Sequence, residues 1–539
     1  MFTKRNALLM GMLFILLFAS ACGGAAATEV PNERYAAATE VPAAPAPAEG
    51  PLVSSGDAYY PEAEALSSAP ESTSQDWGSP PKRQPTDTFF EDYGVNPFID
   101  TEDDNLSTFA LDVDTGSYTI MRNYLKDGLT VPPDSVRVEE YINYFEQNYP
   151  NPTAHQAFNI SMDGAPSPFT QTERYQMLRI GVQGYQVPEY ERKDASLTFV
   201  IDVSGSMDMD NRLELVKRSL ELLVEQLDRN DSVSIVVYGS NARVILDPTP
   251  GSRKNKILSA IYSLHPEGAT NAEAGIRLGY KMAIRAYNPD GINRVILCSD
   301  GVANVGNTQA DVILDEIRGH VEEGVTMTTI GFGMDNYNDV LMEQLADNGD
   351  GFYVYVDDMR EAKRLFIDNL TSTLQTIAMD AKIQVDFNPE VVSRYRLVGF
   401  ENRAIADEDF RDNAVDAGEI GAGNSVTALY EVKLYPEAYG NIATVFLRWQ
   451  DPDTRQVVEL SKDFRVGDLE RSFERADPYF QRTVVVAEFA EILKESYWAQ
   501  DSSFGDVYHE AVRISDFFGR DEDMAELLEL MRRAGRWID

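Results

Sequence analysis

The sequence is poor in cysteine, histidine and positive charge. It has two cysteines in 539 residues, which excludes a fold stabilised by a set of disulfides. The four histidines show none of the spacings of zinc ligands: His155, His265, His320 and His509. Lysine and arginine total 47 against 88 aspartate and glutamate residues, a formal net charge of -41. This charge opposes binding to nucleic acid, which we exclude, and favours divalent cations.

The N-terminus has the layout of a secretory signal. Two cationic residues, Lys4 and Arg5, precede an apolar run over residues 7–18 that is too short to cross a bilayer comfortably. The tetrapeptide ASAC at residues 19–22 resembles a bacterial lipobox, which implies cleavage after residue 21 and lipid attachment at Cys22. We therefore predict a lipid-anchored, extracytoplasmic protein of the cell envelope, held to a membrane by its N-terminal lipid. An ordinary signal peptide cleaved nearby is the alternative.

A long low-complexity segment follows the predicted signal peptide (residues 1–21). Residues 22–88 are dominated by Ala, Pro, Ser, Glu and Thr, and the heptapeptide AAATEVP occurs twice, at 25–31 and 36–42. Such a composition buries too little apolar surface to offset the entropy of the chain. The segment is predicted to be a disordered tether.

The rest of the chain changes its hydrophobic pattern three times. Residues 89–194 and 380–470 contain alternating strands such as QMLRIGVQG, which indicate half-buried antiparallel sheets. Residues 195–379 alternate apolar strands with helices, which predicts a parallel sheet covered by helices on both faces. The simplest architecture is a Rossmann-like α/β domain inserted in a β-rich, sandwich-like domain. Residues 471–539 are predicted to form a C-terminal helical segment.

Oxygen-bearing side chains follow the strand ends of the α/β region. Asp202, Ser204 and Ser206 come after the first strand, in FVIDVSGSM, and Asp300 follows the strand RVILCS. Thr270 lies in the loop GATNAEAG at the start of a helix. Ligands of open α/β sheets bind beyond the carboxyl ends of the strands, and such oxygens suit Mg²⁺. The five residues predict a divalent-cation site; helix capping, the alternative, explains neither Thr270 nor Asp300.

The order D-x-S-x-S, then Thr, then Asp at successive strand ends resembles the metal-ion-dependent adhesion site of the von Willebrand factor type A (VWA) family. The resemblance implies that Ser204, Ser206 and Thr270 coordinate the ion directly. It implies that Asp202 and Asp300 act largely through water. The implied ion is Mg²⁺, with Ca²⁺ or Mn²⁺ as alternatives. Few direct anionic ligands leave the ion with residual positive charge, so the expected partner is a protein or polymer that bears a carboxylate.

The segments around the α/β region carry a wider resemblance. STFALDVDTGSYTIMRNYL and the acidic stretch from Phe400 to Leu434 look like the extensions that flank the A domain in bacterial surface lipoproteins. The plan of a β-rich domain beside an A domain is also similar to inter-alpha-trypsin inhibitor heavy chains. In family members that switch, the last helix of the domain slides; the corresponding helix is predicted here over residues 359–377.

Three further features have simpler interpretations. The tetrad Asp114–Ser117 is that of aspartic peptidases, but no second tetrad occurs, so a turn between a strand and a helix is predicted. Cys298 lies in an apolar strand and is predicted to be an inert buried thiol. An acidic loop is either a second cation site or a solvated turn: Asp407, Glu408, Asp409, Asp412, Asp416 and Glu419.

Three classes of function remain open. The first is a metal-dependent binding module at the cell surface. The second is a structural or assembly protein of the envelope, in which the metal only stabilises the fold. The third is a hydrolase, which is disfavoured because the sequence shows no pair of nucleophile and base. We therefore expect that the protein is not an enzyme.

Overall fold

The computed structural model describes residues 90–538 except 154–155, 171, 173, 302–306 and 334–337. The predicted signal peptide, Cys22, the tether and His155 lie outside the described residues. The strands are β1 (Ile99–Asp100), β2 (Leu106–Ala110), β3 (Phe158–Pro166), β4 (Tyr175–Gly184), β5 (Ala195–Asp202), β6 (Ser232–Tyr238), β7 (Ala242–Pro250), β8 (Ile292–Ser299), β9 (Thr326–Gly331), β10 (Tyr353–Tyr355), β11 (Thr376–Phe387), β12 (Val392–Val398), β13 (Gly418–Gly421), β14 (Ser425–Leu434), β15 (Asn441–Gln450) and β16 (Val457–Arg465).

The α-helices are α1 (Gly116–Lys126), α2 (Val138–Asn143), α3 (Arg212–Gln226), α4 (Lys254–Tyr262), α5 (Ala272–Arg285), α6 (Asn307–Glu322), α7 (Asp339–Asp347), α8 (Met359–Lys363), α9 (Leu370–Leu374), α10 (Pro478–Leu493), α11 (Phe504–Phe518) and α12 (Glu522–Ala534). Among the described residues, none of these helices is both long and apolar enough to cross a membrane.

The strands before and after the α/β region form one β-rich domain. One antiparallel sheet has the order β1-β12-β14-β4-β3, and the other has β13-β11-β15-β16 with β2 paired to β11. β4 pairs with β14 along its length, from Tyr175 opposite Lys433 to Gln183 opposite Ser425. Apolar residues from both sheets form one buried cluster, as in a sandwich. The predicted insertion of an α/β domain into a β-rich domain is therefore confirmed.

The α/β domain has a six-stranded sheet with the order β10-β9-β8-β5-β6-β7. Its strands are parallel except β7, which pairs antiparallel with β6. The side chains of β5 alternate between two buried layers: Phe199 packs in the cluster with α3 and α4, and Val200 in the cluster with α5 and α7. Gly279 lets α5 approach closely, because a Cβ there would lie 2.3 Å from Val200. The predicted cover of helices on both faces is confirmed.

The last helix of the α/β domain is not the single helix predicted over residues 359–377. α8 continues into a π-helical turn at Arg364–Asp368, α9 ends at Leu374, and β11 begins at Thr376. Within this turn, the Arg364 guanidinium lies 4.0 Å from the centre of the Tyr144 ring. The helix is interrupted at Asn369, whose φ of -112° and ψ of 19° are not helical.

The α/β domain is joined to the flanking regions by a set of ion pairs, the ionic seam. It consists of Arg122, Arg137 and Arg403 with the carboxylates they contact. Arg403 donates to Asp112 at 2.9 Å and to Glu343 at 2.9 Å. Arg137 donates to Asp339 at 2.6 Å. Arg137 and Arg403 together contact six carboxyl groups, those of Asp112, Asp114, Glu140, Asp339, Glu343 and Asp347.

Arg122 forms the second half of the ionic seam. Its side chain is fully buried and donates to Asp357 at 2.8 Å and to Glu361 at 2.9 Å. It also donates to Glu526 of α12 at 3.2 Å. One arginine of the N-terminal region therefore binds the α/β domain and the C-terminal helices together. The predicted turn at Asp114–Ser117 does connect β2 to α1, and its Asp114 also supplies one carboxylate to the seam.

Candidate metal centre

Asp202 ends β5 and is fully buried. Its Oδ1 accepts a hydrogen bond from the backbone N–H of Ser204 at 2.7 Å, and its Oδ2 accepts one from the Ser299 hydroxyl at 3.0 Å. Burial raises the pKa of the Asp202 carboxyl to about 6, and the nearby Asp300 carboxylate acts in the same direction. The carboxylate is thus held in place by two neutral donors.

The two serines of the motif lie side by side. After β5 the chain turns into a 3₁₀ helix over Gly205–Asn211, and the Ser204 and Ser206 hydroxyl oxygens are 3.0 Å apart. This separation allows two oxygens to share one small cation, whose ligand oxygens lie close together. Val203 and Ser204 are almost completely buried, so the turn is fixed by the core beneath it.

Asp300 reaches the same place from the next strand. It follows β8, which is parallel to β5 with Cys298 opposite Ile201. Its Oδ2 accepts a hydrogen bond from Arg212 at 2.7 Å. Burial raises the pKa of the Asp300 carboxyl, and hydrogen bonds from Arg212 and Ser206 partly offset that rise. The structure therefore brings together the four predicted residues Asp202, Ser204, Ser206 and Asp300.

Thr270 lies on a loop that is packed against the serine turn. The Glu267 N–H donates to the Val203 carbonyl at 2.5 Å, and the Gly205 N–H donates to the Gly268 carbonyl at 3.2 Å. Thr270 is half-buried two residues further on, next to Asn271, which caps α5 by accepting from Ala274. The structure thus places the loop of Thr270 beside the other four residues, and direct ligation by its hydroxyl stays a prediction.

The donor set fits a hard divalent cation. Carboxylate and hydroxyl oxygens are the ligands of Mg²⁺, Ca²⁺ and Mn²⁺, and the soft ligands that select other metals are absent from the four converging side chains. Cys298 lies nearby in β8, but its thiol is buried, and burial raises the pKa of that thiol. If an ion is bound, Ser204 and Ser206 would hold it directly, with Asp202 and Asp300 beside them. The ion would supply a positive centre for an anionic ligand.

Sequence analysis missed two residues of this centre, Ser299 and Arg212. Ser299 orients Asp202 and also accepts from the Gly301 N–H at 3.1 Å. Arg212 begins α3, where a positive charge opposes the helix dipole. That unfavourable placement was the available signal, because a cation at a helix start needs a nearby anion to compensate it.

Within the part of the chain that the structure describes, two other sets of three carboxyl groups each have their oxygens within 4.8 Å of one another. In the first, Asp112, Asp114 and Glu343 surround the Arg403 guanidinium, which already supplies positive charge. The second combines Asp350 of the α/β domain with Asp416 and Glu419. The predicted acidic loop therefore does not converge as a unit: Asp407, for example, accepts a hydrogen bond from Thr108 instead.

Comparison with known families identifies three regions in this chain. Residues 196–368 match the family model described as "von Willebrand factor type A domain". Residues 84–179 match "von Willebrand factor", and residues 372–536 match "Uncharacterized protein YfbK, C-terminal". The three matches follow one another along the chain in the order of the N-terminal flank, the α/β domain and the C-terminal flank.

Individual relatives share parts of the same arrangement. The chain is 39% identical over 352 residues to "Uncharacterized protein YfbK" of Escherichia coli, covering 64% of this chain and 61% of that protein. It is 26% identical over 216 residues to human inter-alpha-trypsin inhibitor heavy chain H3, covering 38% of this chain and 22% of that protein. The chain thus spans about three fifths of the first relative's length and about a fifth of the second's.

Among solved structures, a von Willebrand factor type A protein from Catenulispora acidiphila is similar to this chain. It is 15% identical, with a TM-score of 0.44, and the match covers 72% of this chain and 91% of that one.

A VWA domain indicates a role in protein–protein interaction or adhesion, and VWA domains often bind a divalent metal. The α/β fold, the grouping of Asp202, Ser204, Ser206 and Asp300, and the family match over residues 196–368 agree with one another. This chain is a bacterial protein with a von Willebrand factor type A domain between an N-terminal and a C-terminal flanking region.

Proposed function

We propose that this protein is a lipid-anchored protein of the cell envelope that binds a protein or polymer ligand through a divalent metal ion. The proposed metal ligands are Ser204, Ser206 and Thr270, with Asp202 and Asp300 acting largely through water. The proposed ion is Mg²⁺, with Ca²⁺ or Mn²⁺ as alternatives, and the bound group of the ligand is a carboxylate. Cys22 is the proposed lipid attachment site.

The observation that carries the proposal is the grouping of four oxygen-bearing side chains from two adjacent strand ends. The Ser204 and Ser206 hydroxyls are 3.0 Å apart, and the Asp300 carboxylate is near enough to help raise the pKa of the buried Asp202 carboxyl. Burying two carboxylates side by side is unfavourable in a fold that needs only a turn there. A cation that binds between them explains why the arrangement is kept.

The expected mode of binding follows from charge. Two of the five proposed residues are carboxylates, and one of them, Asp300, has a guanidinium partner. A divalent ion held mainly by hydroxyl groups keeps net positive charge, which a ligand's carboxylate neutralises. The ligand is therefore expected to lose its affinity when the ion is removed or when the ligand carboxylate is amidated.

The proposal is tested by capture on immobilised polyglutamate. We expect binding in 1 mM Mg²⁺ and at least a tenfold loss in EDTA or in the variant Asp202→Asn, since loss of an outer-shell partner typically lowers metal affinity by about 10- to 100-fold. Asp247→Asn is the matched control, because Asp247 is an exposed carboxylate of the same domain. Retention of Mg²⁺-dependent capture by Asp202→Asn would exclude the proposed centre. Labelling with a fatty-acid analogue, with Cys22→Ala as control, tests the anchor.

The second candidate is an assembly protein of the envelope in which the metal only stabilises the fold. The ionic seam favours it, because Arg122, Arg137 and Arg403 bind the VWA domain to both flanking regions. A protein whose VWA domain is held to both flanking regions in this way can act as a scaffold as well as a receptor. This candidate predicts that Mg²⁺ raises the melting temperature without any effect on capture of polyglutamate.

We propose that the protein has no catalytic activity. Of the three histidines among the described residues, His265 is near the carbonyl of Ser263 and His320 stacks on Tyr280. The third, His509, lines a cavity with Ser502 and Ser503 and is the residue whose substitution by alanine would test this point. A metal-dependent turnover of esters or peptides by the purified protein would contradict this part of the proposal.

A further inference from the structure

A cavity of about 710 Å³ lies where the VWA domain meets both flanking regions. The N-terminal region lines it with residues that follow α2, and the VWA domain lines it with the π-helical turn and its neighbours. The C-terminal region contributes the connection between β13 and β14 and the start of α12. Its volume is typical of sites for small molecules. The described residues that line it include none of the five predicted metal-site residues.

Amide side chains from all three regions face this cavity. Five of them make no hydrogen bond to another described residue: Asn148, Asn151, Gln186, Asn369 and Asn424. An amide side chain offers two N–H donors and one carbonyl acceptor at the same place. Five free amides around one cavity therefore suit a ligand whose groups both donate and accept hydrogen bonds.

The exposed part of the cavity wall is polar throughout. Each exposed lining residue carries an amide or a charged group: Glu146, Asn148, Asn151, Gln186, Lys363, Asp368, Asn369 and Glu522. The aliphatic lining residues Val354 and Leu365 are buried. A bound peptide needs pockets for its side chains, and burial of apolar side chains supplies much of its affinity. The wall does not favour that kind of ligand.

The charges of the wall oppose an anionic ligand. Six acidic and three basic residues line the cavity, and two of the basic ones are already paired, Arg360 with Glu526 and Arg364 with Asp523. A metal ion is not favoured either, because the sets of three carboxyl groups close enough to hold one lie elsewhere in the described part of the chain. What remains is a neutral ligand rich in hydrogen-bonding groups.

We propose that this cavity binds a neutral oligosaccharide. Every sugar hydroxyl both donates and accepts hydrogen bonds, so it can pair with either end of an amide side chain. The carboxylates of the wall accept hydrogen bonds from further hydroxyls, and a neutral sugar brings no negative charge for them to repel. The site is separate from the metal centre, and the inference does not rest on the proposed metal-dependent function.

The experiment is saturation-transfer difference NMR on the full chain, with three neutral tetrasaccharides as probes: maltotetraose, cellotetraose and chitotetraose. Each is supplied at about 2 mM, which detects an affinity in the millimolar range. At least one should receive saturation from the protein and titrate as a single site. Binding should persist in EDTA, because the metal centre contributes no lining residue. Capped tetra-alanine, a neutral peptide, should not bind.

A double variant tests the amides. Asn151→Ala combined with Asn369→Ala should weaken binding of the sugar by about tenfold or more, since each substitution removes a hydrogen-bonding side chain. Both residues are exposed and have no described hydrogen-bond partner for their side chains, so the variant should keep the wild-type melting temperature. Asn255→Ala combined with Gln456→Ala is the matched control, because both are exposed amides outside the lining.

The outcomes separate this inference from the proposed function. Sugar binding that is weakened in the cavity variant and unchanged in the control supports the inference. It is overturned if none of the three sugars receives saturation, or if the cavity variant binds the sugar as the wild type does. Binding of tetra-alanine with the same loss in the cavity variant identifies a peptide site and also overturns it. Asp202→Asn should bind the sugar normally, whatever its effect on capture of polyglutamate.

Discussion

The candidate metal centre and the ionic seam are both built from buried charges, and they differ in how those charges are balanced. In the centre, one guanidinium faces two carboxylates, and Asp202 is held by a backbone N–H and the Ser299 hydroxyl. In the seam, each arginine contacts at least three carboxyl groups. In the centre, Asp202 is held by neutral donors, whereas each carboxyl group of the seam contacts a guanidinium. The centre is the proposed site for an external ligand, and the seam joins regions of the same chain.

The largest effect is expected in the seam. Arg403→Met should lower the free energy of unfolding by about 3 to 5 kcal/mol, because it leaves buried carboxylates without their partner. Urea unfolding followed by circular dichroism measures the change. Arg411→Met is the matched control in the same flanking region, since Arg411 pairs with Glu459 at the surface. If Arg403→Met loses no more unfolding free energy than Arg411→Met, Arg403 does not compensate the buried carboxylates that it contacts.

In the metal centre, unlike in the seam, removal of a buried charge should not lower the free energy of unfolding of the metal-free protein. Mg²⁺ at a hundred times its Kd should raise the free energy of unfolding by about 2.7 kcal/mol. Asp202→Asn should lose this gain, yet without metal it should be at least as stable as the wild type, because it removes a buried carboxylate that Asp300 repels. Thermal melts with Mg²⁺ and with EDTA measure both effects. A metal-free Asp202→Asn protein that is markedly less stable would remove the contrast with the seam.

A smaller effect concerns pH. Burial raises the pKa of Glu343 to about 7, although Arg137 and Arg403 act against the rise. The folded state then holds this proton more tightly than the unfolded chain does. The resulting stability is full below the ordinary pKa of glutamate and is lost as pH rises through 7. Glu343→Gln should reduce the fall in unfolding free energy between pH 5 and 8 by roughly 1 to 2 kcal/mol.

Urea titrations at four pH values across that window test the role of Glu343. The variant should keep part of the slope, because burial also raises the pKa of Glu140, to about 8. If the unfolding free energy of Glu343→Gln falls with pH as steeply as that of the wild type, Glu343 is ionised from pH 5 to 8. Arg137 and Arg403 then compensate the charges of the carboxylates that they contact.

The smallest effect is expected for a pair outside both regions. Arg285 and Asp247 form a 2.8 Å ion pair on the surface of the VWA domain, and both side chains are about two thirds exposed. Arg285→Ala should change the free energy of unfolding by less than about 0.5 kcal/mol, since solvent and salt screen the pair. Denaturation at 0.05 M and 0.5 M NaCl checks this. A larger loss of unfolding free energy would mean that the exposed fraction of the side chains does not predict how much an ion pair contributes to stability.

The metal centre could be predicted from sequence to a greater extent than the seam. Its ligands follow strand ends, and the edge of a parallel sheet brings such positions together whatever the loops do. Asp202 and Asp300 were therefore identifiable from their strands alone. No such rule predicts the ionic seam. Asp112 and Arg403 lie 291 residues apart in the chain, and the local sequence around either residue does not indicate the other as its partner.

Two features that were not predicted, the direction of β7 and the role of Arg212, could have been inferred from the sequence. β7 runs antiparallel to β6, and only residues 239–241 separate the two strands, which is too short for a parallel crossover. Arg212 stands at a helix start that disfavours cations.

The insertion of one domain in another also determines the order in which the chain can fold during synthesis. β4 has β3 as a neighbour at once, but its other partner, β14, emerges about 240 residues later. At the usual pace of translation, that interval lasts roughly 12 to 50 s. For this time β4 presents an open edge, while the whole VWA domain is made and can fold. A chaperone that covers this edge would act in that interval, before the second half of the sandwich arrives.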